Sequence, residues 1–412
     1  MTELTATRAR LAIFALALGG FSIGATEFIA MGLLPEISSD LLKELSLVDS
    51  EAAIAKAGWL ITAYAIGVVV GAPTIAAASA RFPRRSLLIV LALGFTLGSV
   101  ASAVAPTFET VVAARFVSGL GHGAFFGVAA LVAARLMGPE KRGQAVASVL
   151  VGLTIASVVG VPTITFVGQQ VGWRWAYLVV AALFAVTTFA IAAFVPRSQG
   201  DPRATISREL LAFRRPAVWF ALLTGSLGFG GFFAVYSYVA PLSTEVAGAS
   251  SGFVPVVLMV LGVGTTIGIL GGGRLADRGA VRAIFLLFGA LAISLTFLGL
   301  TAHTVPGLLI GVFLVGGSAQ ALAPAIQTRL MDVAGDSQTL AAAVNHSALN
   351  IGNSLGAALG GAVIAAGLGY VAPTWLGLAL CVPGSVFALA GWMVTRRQSQ
   401  PPPRDELAIP VG

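Results

Sequence analysis

The chain reads as an all-α membrane protein whose twelve transmembrane helices form two six-helix bundles. Three observations predict this: composition, the number of apolar runs, and the placement of positive charge. Charged residues make up 10% of the 412 residues and apolar residues 57%, and mean hydropathy is +0.94. A soluble domain carries roughly 25% charged residues. A chain this apolar cannot cover its own surface in water.

Apolar runs fall near 11–34, 57–79, 87–105, 108–134, 144–168, 175–195, 217–240, 254–273, 283–301, 305–327, 341–367 and 374–395. Each can cross a hydrocarbon layer of ~30 Å at ~1.5 Å per helical residue. An even number of spans puts both termini on one side, and Lys/Arg bias selects that side. With the N-terminus in the cytoplasm, 20 of the 24 Lys and Arg lie on inner segments. Lys43, Lys56 and Arg174 lie outside, and Arg115 falls within a span. Both termini are thus placed in the cytoplasm. The net charge of +7 does not imply nucleic acid, because the basic residues sit in short loops rather than on one polar face. Cys381 is the single cysteine and allows no intrachain disulfide. The first run is too long for a signal-peptide core and lacks a small-residue cleavage pattern.

The one long polar linker in the array, Pro196–Pro216, divides the spans six and six. The expected organisation is an N-terminal bundle over 1–195, a cytoplasmic linker over 196–216 and a C-terminal bundle over 217–397. A Pro-rich tail over 398–412 (QSQPPPRDE and beyond) is expected to be disordered. Gly71, Arg81 and Arg85 after span 2 repeat the spacing of Gly268, Arg278 and Arg282 after span 8. This is the layout of parallel repeats in secondary transporters. Small residues recur every fourth position in span 2 (Ala63, Gly67, Gly71), span 5 (Gly152, Ala156, Gly160), span 8 (Gly264, Gly268, Gly272) and span 11 (Gly352, Gly356, Gly360). Such ladders let backbones approach closely, in static packing or in a sliding interface.

Glu27, in LAIFALALGGFSIGATEFIAMGLL, is the only one of the 17 acidic residues placed well inside a span. A carboxylate at a helix centre costs ~2.5–3.5 kcal/mol, which marks it as functional, with a structural ion pair as the alternative. Glu27 and Arg115 each lie seven residues, ~10 Å, from the outer ends of spans 1 and 4. His122 lies two turns further along span 4 and is read as a second proton station or as a tight packing residue. No GxxxxGK[ST] phosphate loop and no cluster of zinc ligands occurs. Neither a catalytic pair nor a large extramembrane domain is visible, so no enzyme activity, metal or cofactor is expected.

Five strings carry a family resemblance: GATEFIAMGLLPEI in span 1, RFVSGLGHGAFFG in span 4, GLTIASVVGVPTITFVGQQVGWR through span 5, GGRLADRG after span 8 and NIGNSLGAALGGAVIAAGLGY in span 11. The chain resembles the major facilitator superfamily in its drug:proton antiporter branch, and there the bacterial arabinose, sugar or chloramphenicol efflux proteins. The resemblance implies two halves rocking about a central cavity, with spans 2, 5, 8 and 11 meeting across the halves where the small-residue ladders fall. It makes spans 1 and 4 neighbours, so that Glu27 and Arg115 become natural partners. It also implies a cytoplasmic latch drawn from Asp277, Arg278, Arg282, Arg81 and Arg85. Ala80 stands where the second copy has Asp277, and Pro83 interrupts the first loop. In span 5, Val161 separates Gly160 from Pro162, a departure from the antiporter signature.

The function this implies is proton-coupled efflux of small amphipathic molecules, such as drugs, by alternating access across the bacterial inner membrane. The alternatives are an exporter of sugars or nucleobases, or an uncoupled facilitator. Burial opposes the charge on Glu27 while a nearby guanidinium favours it, so its protonation can change as a cavity opens and closes. Glu27, Arg115 and His122 form the expected proton-coupling set. Tyr64, Phe125, Phe126, Phe232 and Tyr236, with Phe233 and Tyr238, are candidate apolar walls of a substrate site, and Gln320, Asn345, Asn350 and Asn353 its candidate hydrogen-bonding groups. For each of these, plain packing is the competing role, as it is for His346. Trp59, Trp173 and Trp175 read as interface anchors. The expected partners are a small-molecule substrate, protons and the lipid bilayer, with no nucleic acid and a monomeric protein.

Overall fold

A computed structural model describes residues 6–79, 82–138, 142–197, 215–334 and 338–398. The linker residues 198–214 and the tail beyond 398, assigned above to a cytoplasmic connection and a disordered end, lie outside the described residues.

Among the described residues, twelve helices are long and apolar enough to cross a membrane. They are Thr7–Gly32, Ser50–Ala72, Arg84–Val104, Phe108–Met137, Ala147–Val171, Trp173–Phe194, Pro216–Ser237, Ser251–Asp277, Ala280–Thr301, Val305–Val333, His346–Leu368 and Ala372–Arg396. We number them spans 1–12. Hydrocarbon offers no partner for a backbone N–H or C=O, so an apolar run of this length must close its bonds within itself as a helix. The face at which span 1 begins and span 12 ends is called the near face, and the opposite one the far face.

Spans 1–6 and 7–12 form two bundles with the same internal pairing. Span 1 packs on spans 5 and 6, and span 7 on spans 11 and 12. Span 2 packs on span 4, and span 8 on span 10. Across the bundles, span 2 meets span 11 and span 5 meets span 8. Spans 3, 6, 9 and 12 lie at the periphery and turn large apolar side chains outward. Leu97 is 69% exposed, Phe189 74%, Ile293 72% and Val382 66%. In water such faces would drive association, whereas a bilayer solvates them.

The small-residue ladders do pack backbone on backbone, but not where the resemblance placed them. Gly67 and Gly71 lie on the main chain of Phe116 and Leu120 in span 4. Gly264, Gly268 and Gly272 lie on Phe313, Gly317 and Ala321 in span 10. Gly152 lies on Ala17 and Phe21 in span 1, and Gly352 and Gly356 lie on Phe229, Gly230 and Ala234 in span 7. The ladders therefore bind helices within each half, 2 to 4 and 5 to 1, then 8 to 10 and 11 to 7. This correction makes the repeat clearer, because the four pairs are two copies of one pattern. Closer contact between the halves uses other positions. Gly262 lies on the main chain of Ser157, Gly32 on Leu258, Gly58 on the Tyr238 hydroxyl, and Gly361 on the main chain of Ala55.

Two spans depart from regular helix beside the candidate residues. Span 4 is interrupted at Gly121, between Phe108–Leu120 and His122–Met137. Span 5 contains a π turn over Ala156–Gly160, directly before Val161–Pro162, where the sequence leaves the antiporter pattern. On the far face, Leu34–Leu41, Lys43–Val48 and Ser50–Ala57, the last being the outer end of span 2 set off at Gly58, form a cap of three short helices. The cap is fastened by Asp40, which accepts from Trp173 Nε1 at 3.0 Å and pairs with Arg174 at 3.4 Å. Arg174 also donates to the carbonyls of Ala103 and Ala105 at 2.9 and 2.8 Å. Trp173 is therefore buried in protein, a correction to its reading as an interface anchor. Its indole N–H finds a carboxylate instead of lipid headgroups. Trp59 and Trp175 are exposed as expected.

A side chain at Gly268 would run into the main chain of Gly317, whereas nothing lies within 4 Å of a Cβ at Gly289. Gly268→Leu should destabilise the purified protein by about 1–3 kcal/mol or more through overpacking. Gly289→Ala should leave the thermal unfolding midpoint unchanged or slightly raised.

Candidate functional site

Span 1 carries Glu27 to the interface between the bundles, where it is 2% exposed; Arg115, from span 4, is 1% exposed. The two lie side by side but do not form an ion pair, a correction to the partnership drawn from the sequence. Arg115 Nη2 donates to the main-chain carbonyl of Glu27 at 3.4 Å, and Nη1 donates to Thr26 Oγ1 at 3.2 Å. The guanidinium lies over the Tyr64 ring, 4.3 Å from its centroid, and 5.7 Å from that of Tyr177. The negative faces of the two rings thus favour the buried cation where no carboxylate pairs with it.

The Glu27 carboxylate takes its hydrogen bond from the other bundle, where Asn353 Nδ2 of span 11 donates to Oε1 at 3.3 Å. Asn353 and Asn350 are fully buried, and the side-chain oxygens of both lack a partner. Asn350 Nδ2 donates to the carbonyl of His346 at 3.0 Å. His346, Asn350 and Asn353 recur at helical spacing, so one stripe of span 11 faces the first bundle.

Tyr64, read above as a cavity wall, joins two members of the proton-coupling set. Its ring supports Arg115, and its hydroxyl is hydrogen-bonded to His122 Nδ1 at 3.1 Å. From His122 an aromatic series continues across the bundles. Phe126 lies 5.2 Å from the His122 ring and stacks on His346 at 5.8 Å. Phe125 packs edge-on against Phe126 and under Gly19. On the other side of Glu27, Phe28 reaches Tyr236 at 5.3 Å and Phe233 at 6.4 Å. Phe232 contacts both of those rings, at 5.0 Å to Phe233 and 5.4 Å to Tyr236. Tyr238 lies toward the far face and donates to the carbonyl of Ala357 at 2.7 Å.

Several predicted residues stand elsewhere. Gln320 is half-buried on span 10 and makes no hydrogen bond to this cluster. The side chain of Asn345, and Arg81 altogether, lie outside the described residues. Asp277, Arg278 and Arg282 are exposed at the near face. Arg278 donates to the carbonyl of Arg274 in its own helix at 3.2 Å, and Asp277 meets no cation among the described residues. Arg85 donates to the carbonyl of Ala192, tying span 3 to span 6. Thr26, Phe28 and Tyr177 belong to the cluster without having been singled out. Thr26 and Phe28 flank Glu27 in the same motif, and Tyr177 is a hydroxyl inside an apolar span. Among the described residues, no three of His, Cys, Asp or Glu gather as metal ligands.

Comparison with known proteins fits this arrangement. The model of the Major Facilitator Superfamily matches residues 16–304 and 256–410. The chain belongs to the Major Facilitator Superfamily. Among curated superfamily members, it is 40% identical to the inner membrane transport protein YdhP of Escherichia coli K12, over 87% of this chain and 90% of that one. It is 31% identical to a chloramphenicol resistance protein of Streptomyces lividans, over 89% and 92%. Among solved structures it resembles a bacterial homologue of the human lysosomal transporter Spinster, inward-facing and unoccupied. The TM-score is 0.75 at 14% identity, covering 97% of this chain and 100% of that one. As a superfamily member with twelve spans, the protein is a multi-pass membrane transporter of small molecules.

Tyr64→Phe should keep the ring under Arg115 but lose the bond to His122, lowering stability by about 0.5–1.5 kcal/mol. Tyr64→Leu should cost more, because the guanidinium also loses its aromatic support. Thermal unfolding of the two variants beside the wild type checks the order.

Proposed function

We propose that this transporter expels small amphipathic molecules in exchange for protons, with Glu27 as the proton carrier. The observation that carries this reading is the cross-bundle bond from Asn353 to Glu27. The carboxylate sits where the two halves must separate, so its charge bears directly on their approach. Ionised, it accepts from Asn353 and feels the Arg115 guanidinium. Protonated, it loses most of its attraction to both and gains a donor. A proton therefore favours one arrangement of the halves over another, which is the differential binding that coupling requires. Arg115 positions and tunes Glu27, and Tyr64 with His122 extends the polar path toward the near face.

The charge distribution supports a cytoplasmic near face, and the kinship with YdhP supports placement in a bacterial inner membrane. Protons then load from the far side and leave to the cytoplasm, and substrate departs on the alternate stroke. The rings of Phe28, Phe232, Phe233 and Tyr236 beside unpartnered Asn oxygens suit a flat apolar molecule bearing hydrogen-bond donors. The chloramphenicol resistance protein among the relatives supports a drug-like substrate. We read the protein as a monomer of two rocking halves, with Asp277, Arg278 and Arg282 serving a near-face latch in another state of the cycle.

Glu27→Gln in proteoliposomes should abolish uphill transport driven by an imposed pH gradient while retaining substrate exchange down its own gradient. Uphill transport at the wild-type rate would overturn the assignment.

A further inference from the structure

The glycine contacts fix how the two halves correspond, residue by residue. In the first half Gly152 lies on the carbonyl of Ala17 and the nitrogen of Phe21. In the second, Gly352 lies on the carbonyl of Ser226 and the nitrogen of Gly230. That register carries Glu27 of span 1 onto Tyr236 of span 7, and Thr26 onto Val235. Likewise Gly67 and Gly71 lie on the carbonyls of Phe116 and Leu120, and Gly268 and Gly272 on those of Gly317 and Ala321. This second register carries Tyr64 onto Thr265, Arg115 onto Gly316 and His122 onto Ala323. A local contact repeats as well. The Arg115 guanidinium lies over the Tyr64 ring, and Gly316 lies against Thr265.

The second half therefore holds a copy of the Glu27 site that carries no charge. Where the first half sets a carboxyl, a guanidinium and an imidazole, the copy has a phenol, a hydrogen atom and a methyl group. Thr265 commits its hydroxyl to the carbonyl of Gly262 at 2.7 Å. Asn353, which reaches Glu27 from the opposite half, corresponds to Leu153, so the first half offers Tyr236 no matching amide. The Tyr236 hydroxyl is what remains. The residue is 3% exposed, and the hydroxyl makes no hydrogen bond among the described residues. Its ring packs on Phe28 of the first half at 5.3 Å and on Phe232 and Phe233. Packing, and not a hydrogen bond, thus sets the position of this donor. A buried hydroxyl without a partner is unfavourable, and a ligand that brings an acceptor relieves it.

We propose that Tyr236 is the residue by which the second half holds the exported molecule, its hydroxyl donating to an acceptor oxygen on an uncharged substrate. Glu27, at the matching place in the first half, handles the proton. This assignment rests on the efflux reading above and narrows its substrate class. A formal charge on the molecule would need a counter-charge away from water, and the copy has none. A carbonyl or nitro oxygen needs only the donor. Donors on the same molecule remain free for the oxygens of Asn350 and Asn353. Because Tyr236 touches Phe28, a molecule held there lies beside the neighbour of the proton-carrying residue.

Binding is measured on the full chain in lipid nanodiscs with two probes. Chloramphenicol is uncharged and carries carbonyl and nitro acceptors; ethidium is a flat cation. The wild type should bind chloramphenicol more tightly than ethidium. Tyr236→Phe removes one oxygen and should weaken chloramphenicol about threefold to tenfold. Without ligand it should not lower the thermal unfolding midpoint, because the hydroxyl has no partner to lose. Tyr370→Phe, in the turn between spans 11 and 12, should leave the affinity unchanged. In proteoliposomes Tyr236→Phe should raise the KM for chloramphenicol while keeping its dependence on the pH gradient. Equal chloramphenicol affinity in the wild type and Tyr236→Phe would overturn the proposal, as would chloramphenicol bound no tighter than ethidium. Failure of a pH gradient to drive uphill transport by the wild type would strike the proton-exchange reading and leave these affinities standing.

Discussion

The structure depends on where an ionisable carboxyl can exist inside a bilayer. Glu27 has no water to solvate it, and a charge there is tolerated only among dipoles and cations that protein provides. The surroundings answer that need without a direct ion pair. Arg115 reaches the backbone beside the carboxylate, and an amide from the opposite bundle supplies the hydrogen bond. A tight ion pair would lock Glu27 in one charge state. A guanidinium held by Thr26, Tyr64 and Tyr177 keeps its field in place and, on the proposed function, leaves the carboxyl free to exchange its proton.

The same logic extends to the cap. Asp40 is fully engaged by Trp173 and Arg174, and it fastens the cap to the first bundle whatever happens at the interface.

Much of this was legible in the sequence, and the parts that were not share a cause. Twelve spans follow from hydropathy because lipid forces each apolar run into a helix, and the isolated acid in GATEFIAMGLL announces the site. Depth along a helix is also readable, which is why Glu27 and Arg115 lie together. Direction around the helix is not. Arg115 could point its fork at a carboxylate or at the carbonyl behind it, and only the fold decides. The ladders failed for the same reason: spacing reveals a smooth face but not which neighbour lies on it. Trp173 looked like an anchor by position, and a carboxylate on the first cap helix, more than a hundred residues away, captured it. Tyr64 was noticed as an aromatic, yet its hydroxyl mattered as much as its ring.

The glycine ladders have a mechanical corollary. Backbone packed on backbone leaves no side chains to deform, so each half should behave as a stiff body with little internal give. In the proposed cycle, strain raised at the centre by adding or removing one proton then cannot dissipate in local repacking. It is passed along the length of the spans, as a lever transmits a small turn at its fulcrum into a wide swing at its tip. The fulcrum is the contact of spans 2 with 11 and 5 with 8, and the tips are the two mouths of the molecule.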